Sequence, residues 1–286
     1  MAHKIAYLKS ADFSHRSPID DFQDFAKSRG IDFEIDRISL DPSLSSDASV
    51  LKQYDALMVQ GRMGHTSGLL DDIARNLGLV TKCCFKTDFS NLTTQNQIFV
   101  TCISPKTVSE YRTTSKLGRE AFESSRHTEL DIERATRHAY EFSEDRSQRL
   151  TLLYLSNASV VTHLWNKVVS DVNEDYPSVR LEVENCFEHS FGDISGKDYD
   201  VILMPSDIFD GLSQVTDKKF DVPVGTSPIA YLGDTSVGMY GTENPTVYSP
   251  LFDAVAIGKM LACSFDLPTL AKDWDDQIAK VYCKNN

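Results

Sequence analysis

The sequence predicts an α/β fold. Ile5–Leu8, Tyr54–Val59 and Tyr199–Met204 are short apolar runs, the mark of strands covered on both faces. Between such runs lie stretches whose apolar residues recur at helical spacing. From Arg149 to Gln214 the order reads strand, helix, strand, strand, and the alternation extends along the chain, which is the α/β pattern.

Taken in order, Lys4–Leu8 forms a buried strand. A helix runs from Pro18 to about Lys27: Pro18 suits its first turn, Phe22 and Phe25 face the core, and Gly30 stops it. Asp32–Leu40 is a second strand, Tyr54–Val59 a third, and Ile98–Ile103 another. Ser104–His127 is rich in Ser, Thr, Lys, Arg and Glu with little apolar periodicity, and reads as a projecting arm. Thr128 then caps a helix with Asp131 three residues on, and Ile132, Ala135, Ala139 and Phe142 form its inner face. After Ser159, the residues Val161, Leu164, Trp165, Val168, Val169 and Val172 trace one helical stripe, placing Trp165 in the core and His163 outside. Beyond Pro177, Val179, Leu181 and Val183 alternate as in a half-buried strand. Leu251–Cys263 is apolar on nearly all sides, predicting deep burial or a subunit contact, and an amphipathic helix covers Leu267–Tyr282.

The 286 residues, 41% of them hydrophobic, suffice for one large domain or two closely joined ones. Forty-two acidic residues against 29 basic ones give a formal charge of -13, which repels phosphate backbones and anionic membranes. Nucleic-acid and membrane partners are therefore not expected, and an anionic ligand would need a locally basic pocket. The six cysteines form no CxxC pair. Adjacent Cys83 and Cys84 cannot chelate zinc alone, so buried thiols in a reducing compartment are expected. No apolar run follows a basic start and no stretch reaches membrane-spanning length, which predicts a cytoplasmic protein. Neither GxGxxG nor GxxxxGK[ST] occurs, so a Rossmann nucleotide site is not expected.

The segment RLTLLYLSNASVVTHLW, with YDVILMPSDIFDGLSQ after it, resembles the central part of the β-decarboxylating dehydrogenases, the isopropylmalate and isocitrate dehydrogenase family. ELDIERATRHAYEF is similar to the helix after that family's arm. IAYLGDTSVGMYGTENP is similar to the strand and loop before its adenine pocket, and Pro250–Leu261 to its C-terminal core helix. The resemblance implies an isopropylmalate dehydrogenase-like two-domain fold with a cleft between the domains. Residues 1–94 with 219–286 would form the first domain. Residues 95–218 would form the second, dimerisation domain, with the arm at about 104–127, in a homodimer.

The family's chemistry is oxidation of a 2-hydroxy acid followed by decarboxylation. It needs a divalent cation held by several carboxylates, a lysine aided by a tyrosine, and three arginines on the substrate carboxylates. By the resemblance, Leu155 stands where the lysine belongs, and Asn157 matches the family asparagine. Asp210 matches the first carboxylate of the GDxxxD turn, Gln214 replaces the second, and Phe187 replaces the carboxylate of the preceding strand. Ala74, Cys84 and Cys102 take the arginine positions, with Arg75 and Lys82 beside the first two. Tyr111 falls on the tyrosine, and Tyr240 on the adenine-loop histidine. One carboxylate cannot hold Mg²⁺ in a dedicated site, and the adenine loop carries Tyr240 in place of the histidine and is shortened before Pro250, so neither a metal nor NAD is expected as a cofactor.

Each candidate also has a plain reading. Asp210 serves equally as a turn or cap aspartate before Gly211. Glu188 and His189 pair a carboxylate with an imidazole, as acid–base work near neutral pH requires, or form a solvated strand end. Asn157 also fits a helix cap. Arg62 and His65 lie in GRMGHTSG after a buried strand, at the end where α/β proteins place ligands. Tyr240, in a Gly-flanked loop, either lines the cleft or is a plain loop aromatic. The expected catalytic groups are Asp210, Tyr111 and Asn157; the expected substrate contacts are Arg62, His65, Glu188, His189 and Tyr240. Three functions stay open: a repurposed enzyme performing a non-redox step on a small molecule, a non-catalytic regulatory or scaffolding relative, and an NAD-dependent dehydrogenase.

Overall fold

The computed structural model describes residues 3–9, 17–41, 43–60, 67–87, 95–103, 113–114, 121–122, 126–154, 159–186, 191–219, 227–235, 237–242 and 249–282. In chain order the elements are β1 (His3–Lys9), α1 (Pro18–Ser28), β2 (Phe33–Ser39), α2 (Ser43–Ser46), a 3-10 turn (Ala48–Gln53), β3 (Ala56–Gln60), α3 (Ser67–Leu77), β4 (Thr81–Thr87) and β5 (Gln95–Cys102). The short β6 (Thr113–Thr114) and β7 (Ala121–Phe122) pair with each other within the predicted arm. Then come α4 (Glu129–Glu144), β8 (Arg149–Tyr154), α5 (Val160–Asn173), β9 (Arg180–Asn185), α6 (Phe191–Gly196), β10 (Val201–Leu203) and α7 (Ser206–Lys219). The chain closes with β11 (Pro228–Leu232), β12 (Gly238–Thr242), α8 (Pro250–Cys263) and α9 (Pro268–Tyr282).

Ten strands form one sheet in the order β2-β1-β3-β12-β11-β4-β5-β10-β8-β9. The first four run parallel to one another, as do the last four. Between these blocks, β11 and β4 are antiparallel to each of their neighbours. The two blocks therefore point in opposite directions, and the C-terminal ends of β3 and β8 lie at opposite edges of the sheet.

Helices cover both faces. One apolar layer joins the sheet to α1, α4, α5, α8 and α9; the other joins it to α3, α6, α7 and the 3-10 turn. The helix starts follow capping chemistry: Ser17, Thr128, Ser159 and Ser249 each accept a backbone N–H of the first turn, with Pro18 and Pro250 just inside. Trp165 is fully buried and His163 exposed, as the α5 stripe predicts. The all-round apolar α8 is buried within the chain itself, packed on β11, β12, α1 and α9. Trp274 of α9 donates its indole N–H to the Ala254 carbonyl at 2.8 Å, locking that contact. No helix among the described residues is long and apolar enough to cross a membrane, and Cys83, Cys84, Cys102, Cys186 and Cys263 form no disulfide.

Candidate functional site where strand β4 meets helix α7

Strand β4 reads TKCCFKT. Its alternation puts Lys82, Cys84 and Lys86 on the face toward α7, and Cys83 and Phe85 on the other. In α7, Asp210, Ser213 and Asp217 recur at helical spacing on one stripe. Four strand residues advance about 13 Å and seven helix residues about 10.5 Å, so the two rows stay in step. Lys82 Nζ lies 3.7 Å from Asp210 Oδ1, Cys84 Sγ 4.0 Å from Ser213 Oγ, and Lys86 Nζ 2.6 Å from Asp217 Oδ1.

The two ends of this row differ in environment. Lys86 is fully buried and donates also to the Ser213 carbonyl and hydroxyl at 3.1 and 2.7 Å, and to Ser227 Oγ at 3.4 Å. Ser227 in turn donates to Asp217 at 2.8 Å. Lys82 is 14% exposed, whereas Asp210 is 71% exposed and opens to solvent. The Lys82 ammonium also lies over the Phe209 ring, 4.9 Å from its centroid. Beside Lys82 in the register stand Tyr231 and Thr101; the Tyr231 hydroxyl donates to Asp71 of α3 at 2.9 Å. Where α7 begins, Asp207 lies near His127 and Cys186. Burial lowers the His127 imidazole while Asp207 opposes that shift, and burial pushes the Cys186 thiol up to about 11. The Trp165 indole donates to His127 Nδ1 at 3.3 Å, so the neutral ring carries its proton on Nε2.

Several sequence expectations meet this geometry differently. Asp210 is neither a turn nor a cap residue: it lies inside α7, as does Gly211, where a Cβ would meet the Phe191 ring at 2.6 Å. Tyr240 is not in a loop and does not line a cleft. It is the middle of strand β12, fully buried, with its hydroxyl 2.8 Å from Ser264 Oγ and its ionisation pushed far up by burial. Cys84 and Cys102 face opposite sides of the sheet and cannot line one site together; Phe99 and Thr101 are β5 residues on the Cys84 face. Arg62, His65, Tyr111, Asn157, Glu188 and His189 lie outside the described residues. The strands that lead to two of these groups, β3 before Arg62 and His65 and β8 before Asn157, end at opposite sheet edges. Lys86, Ser213 and Asp217 were not singled out from the sequence. Their signal was the polar alternation within β4 and the seven-residue spacing of Asp210 and Asp217.

A divalent cation and a nicotinamide nucleotide are what the resemblance would bring here. A hard cation needs several oxygen ligands. Asp210 already faces an ammonium, Asp217 is committed to a buried lysine, and Gln214 is neutral. Among the described residues no group of three or more His, Cys, Asp or Glu converges at metal-binding distance. Among the described residues, those at this site do not fit a dedicated Mg²⁺ site.

No family model matches the chain. It is 27% identical over 178 residues to the 3-isopropylmalate dehydrogenase of Geobacter metallireducens, covering 57% of this chain and 47% of that protein. Over 125 residues it is 31% identical to the 3-isopropylmalate dehydrogenase of Syntrophotalea carbinolica, covering 43% and 33%. These matches span less than half of the relatives' own length. Among solved structures, isocitrate dehydrogenase from Methylococcus capsulatus is similar with a TM-score of 0.72 over 99% of this chain and 91% of that one, at 14% identity, a likeness of fold.

Proposed function

This chain is a divergent member of the isopropylmalate and isocitrate dehydrogenase family, and from that premise we propose that it is a repurposed enzyme performing a non-redox step on a small metabolite. The step is an isomerisation, cyclisation, elimination or decarboxylation, carried out in the interdomain cleft without nicotinamide nucleotide or Mg²⁺. The observation behind this reading is the Lys82–Asp210 pair. An ammonium fixed to β4 stands where the one matched carboxylate would otherwise invite a metal ion.

Such a pair suits proton transfer next to a carbonyl. Asp210, open to solvent, takes the proton from the carbon beside the carbonyl of a bound ligand. The C–H electron pair moves into the enolate, and the Lys82 ammonium donates a hydrogen bond to its oxygen. Return of the proton to another carbon completes an isomerisation; loss of a β-substituent completes an elimination. The lobes would be residues 1–94 with 219–286 and residues 95–218, in a cytoplasmic homodimer. The second reading, a non-catalytic regulatory or scaffolding subunit, is favoured by the buried Lys86–Asp217 clamp, which ties one lobe to the other and resists their closure.

Two experiments test the proposal. Thermal melts with NAD, NADP and Mg²⁺ should give no upward shift; a ligand at 100 times its Kd would add about 2.7 kcal/mol, and such a shift contradicts both readings. Incubation with small keto acids in D₂O, followed by proton NMR, should show deuteration beside a carbonyl that Asp210→Asn abolishes. No deuteration across the panel favours the scaffold.

A further inference from the structure

The sheet face opposite α7 carries a cavity of about 410 Å³ between α4, α8 and α9, a volume that suits a small metabolite. Phe85, Ile98, Phe142 and Leu232 give it apolar walls, with Phe85 and Phe142 meeting edge to face at 5.9 Å. Two opposite charges enter it from different helices: Lys259 from α8 and Asp275 from α9. Lys259 Nζ lies 5.7 Å from the Phe85 ring centroid. Asp275 reaches its place because residue 258 has no side chain; a Cβ there would meet Asp275 Oδ1 at 2.5 Å.

Burial pushes the Asp275 carboxyl up to about 6, with Lys259 pulling it down and Asp276 pushing it up. Burial lowers Lys259, while Asp275 and Cys263 oppose that and Arg146 adds to it. Each group thus keeps its charge partly through the other, beside the apolar wall of Phe85, Ile98, Phe142 and Leu232. At the rim, His138 Nδ1 lies 3.3 Å from Glu141, Asp145 is exposed, and Arg146 is held by Asp200.

We propose that this cavity binds a small zwitterion with an apolar body, a free amino acid or an amino-acid-like metabolite, its carboxylate on Lys259 and its ammonium on Asp275. A purely anionic ligand would meet Asp275, Glu141 and Asp145 in the same space; a purely cationic one would meet Lys259 and Arg146. A ligand carrying both charges satisfies both fixed groups, and its side chain lies against the aromatic wall. The site is distinct from the β4–α7 row, because the whole sheet separates them.

Isothermal titration with the apolar and aromatic L-amino acids tests this, using their N-acetyl and C-amide forms as single-charge controls. At least one amino acid should bind once per chain, and both single-charge forms should bind about tenfold more weakly or worse. Lys259→Met and Asp275→Asn should each cost a similar factor. Gly258→Ala, which displaces the Asp275 carboxyl without removing it, should do the same and covers the case in which Lys259→Met fails to fold. Absence of heat with every amino acid, equal binding of the acetylated or amidated forms, or binding that survives in the variants overturns the proposal. Neither nucleotide nor Mg²⁺ enters this test, so its failure leaves the reading of the β4–α7 site untouched.

Discussion

Two lysine–carboxylate pairs join β4 to α7, built from the same residue types on the same two elements. Lys86 and Asp217 are sealed, at 0% and 1% side-chain exposure, and the three donors of the ammonium meet the Asp217 carboxylate, the Ser213 carbonyl and the Ser213 and Ser227 hydroxyls. Lys82 and Asp210, two residues nearer the start of β4 than Cys84 and one α7 turn nearer its start than Ser213, leave the carboxylate in solvent. A buried pair with every polar atom satisfied acts as a structural clamp. An open pair contributes little to stability and remains available for chemistry. Burial, rather than residue type, separates the two roles.

The comparison is broken most severely at the sealed end. Lys86→Ala leaves the Asp217 carboxylate buried beside two hydroxyls and no cation, which should cost about 3–5 kcal/mol in urea unfolding. The double variant Lys86→Met with Asp217→Leu should recover most of that loss, because an apolar pair of similar volume carries no desolvation penalty.

The Lys259–Asp275 pair across the sheet is intermediate and sharpens the contrast. Its folded-state carboxyl, at about 6, is raised above the unfolded value. Asp275 therefore contributes stability that is fully present below about pH 4 and is lost as pH rises through about 6. Asp275→Asn should be more stable than the parent by about 1–2 kcal/mol at pH 7.5, after allowance for partial exposure, and should lose that advantage at pH 4. A next, smaller effect concerns Tyr240→Phe. It removes one buried hydrogen bond to Ser264 and should cost about 1 kcal/mol, where a residue in an open cleft would cost nothing. At the open end, Asp210→Asn should change stability by no more than about 0.5–1 kcal/mol, and the difference should vanish in 1 M salt, where the Debye length is about 3 Å.

Much of the fold was legible because buried strands and amphipathic helices announce themselves locally. Ile5–Leu8, Val201–Leu203 and the α5 stripe need no partner to be recognised, and Pro18 and Thr128 mark the starts of their helices by residue chemistry alone. Strand β12 was read as a loop because GMYGT holds two glycines; its extended form comes from pairing with β3 and β11, which no local pattern shows. Asp210 was read in a turn because of Gly211, whose missing side chain in fact admits the Phe191 ring against a helix. The lysine–carboxylate row escaped for a different reason. Lys86 and Asp217 are 131 residues apart, and only the packing of α7 on β4 brings them together. The resemblance suggests which of the family's charged positions hold neutral residues here, but it could not reveal that Lys82 faces Asp210 and Lys86 faces Asp217.

The account rests on Lys82 supplying, as a fixed ammonium, the positive charge that a bound cation would otherwise provide beside Asp210. A Mn²⁺ titration followed by electron paramagnetic resonance of the unbound ion tests this directly. The account predicts that millimolar Mn²⁺ stays unbound in the presence of the parent protein. Mn²⁺ binding once per chain, removed by Asp210→Asn, would contradict it.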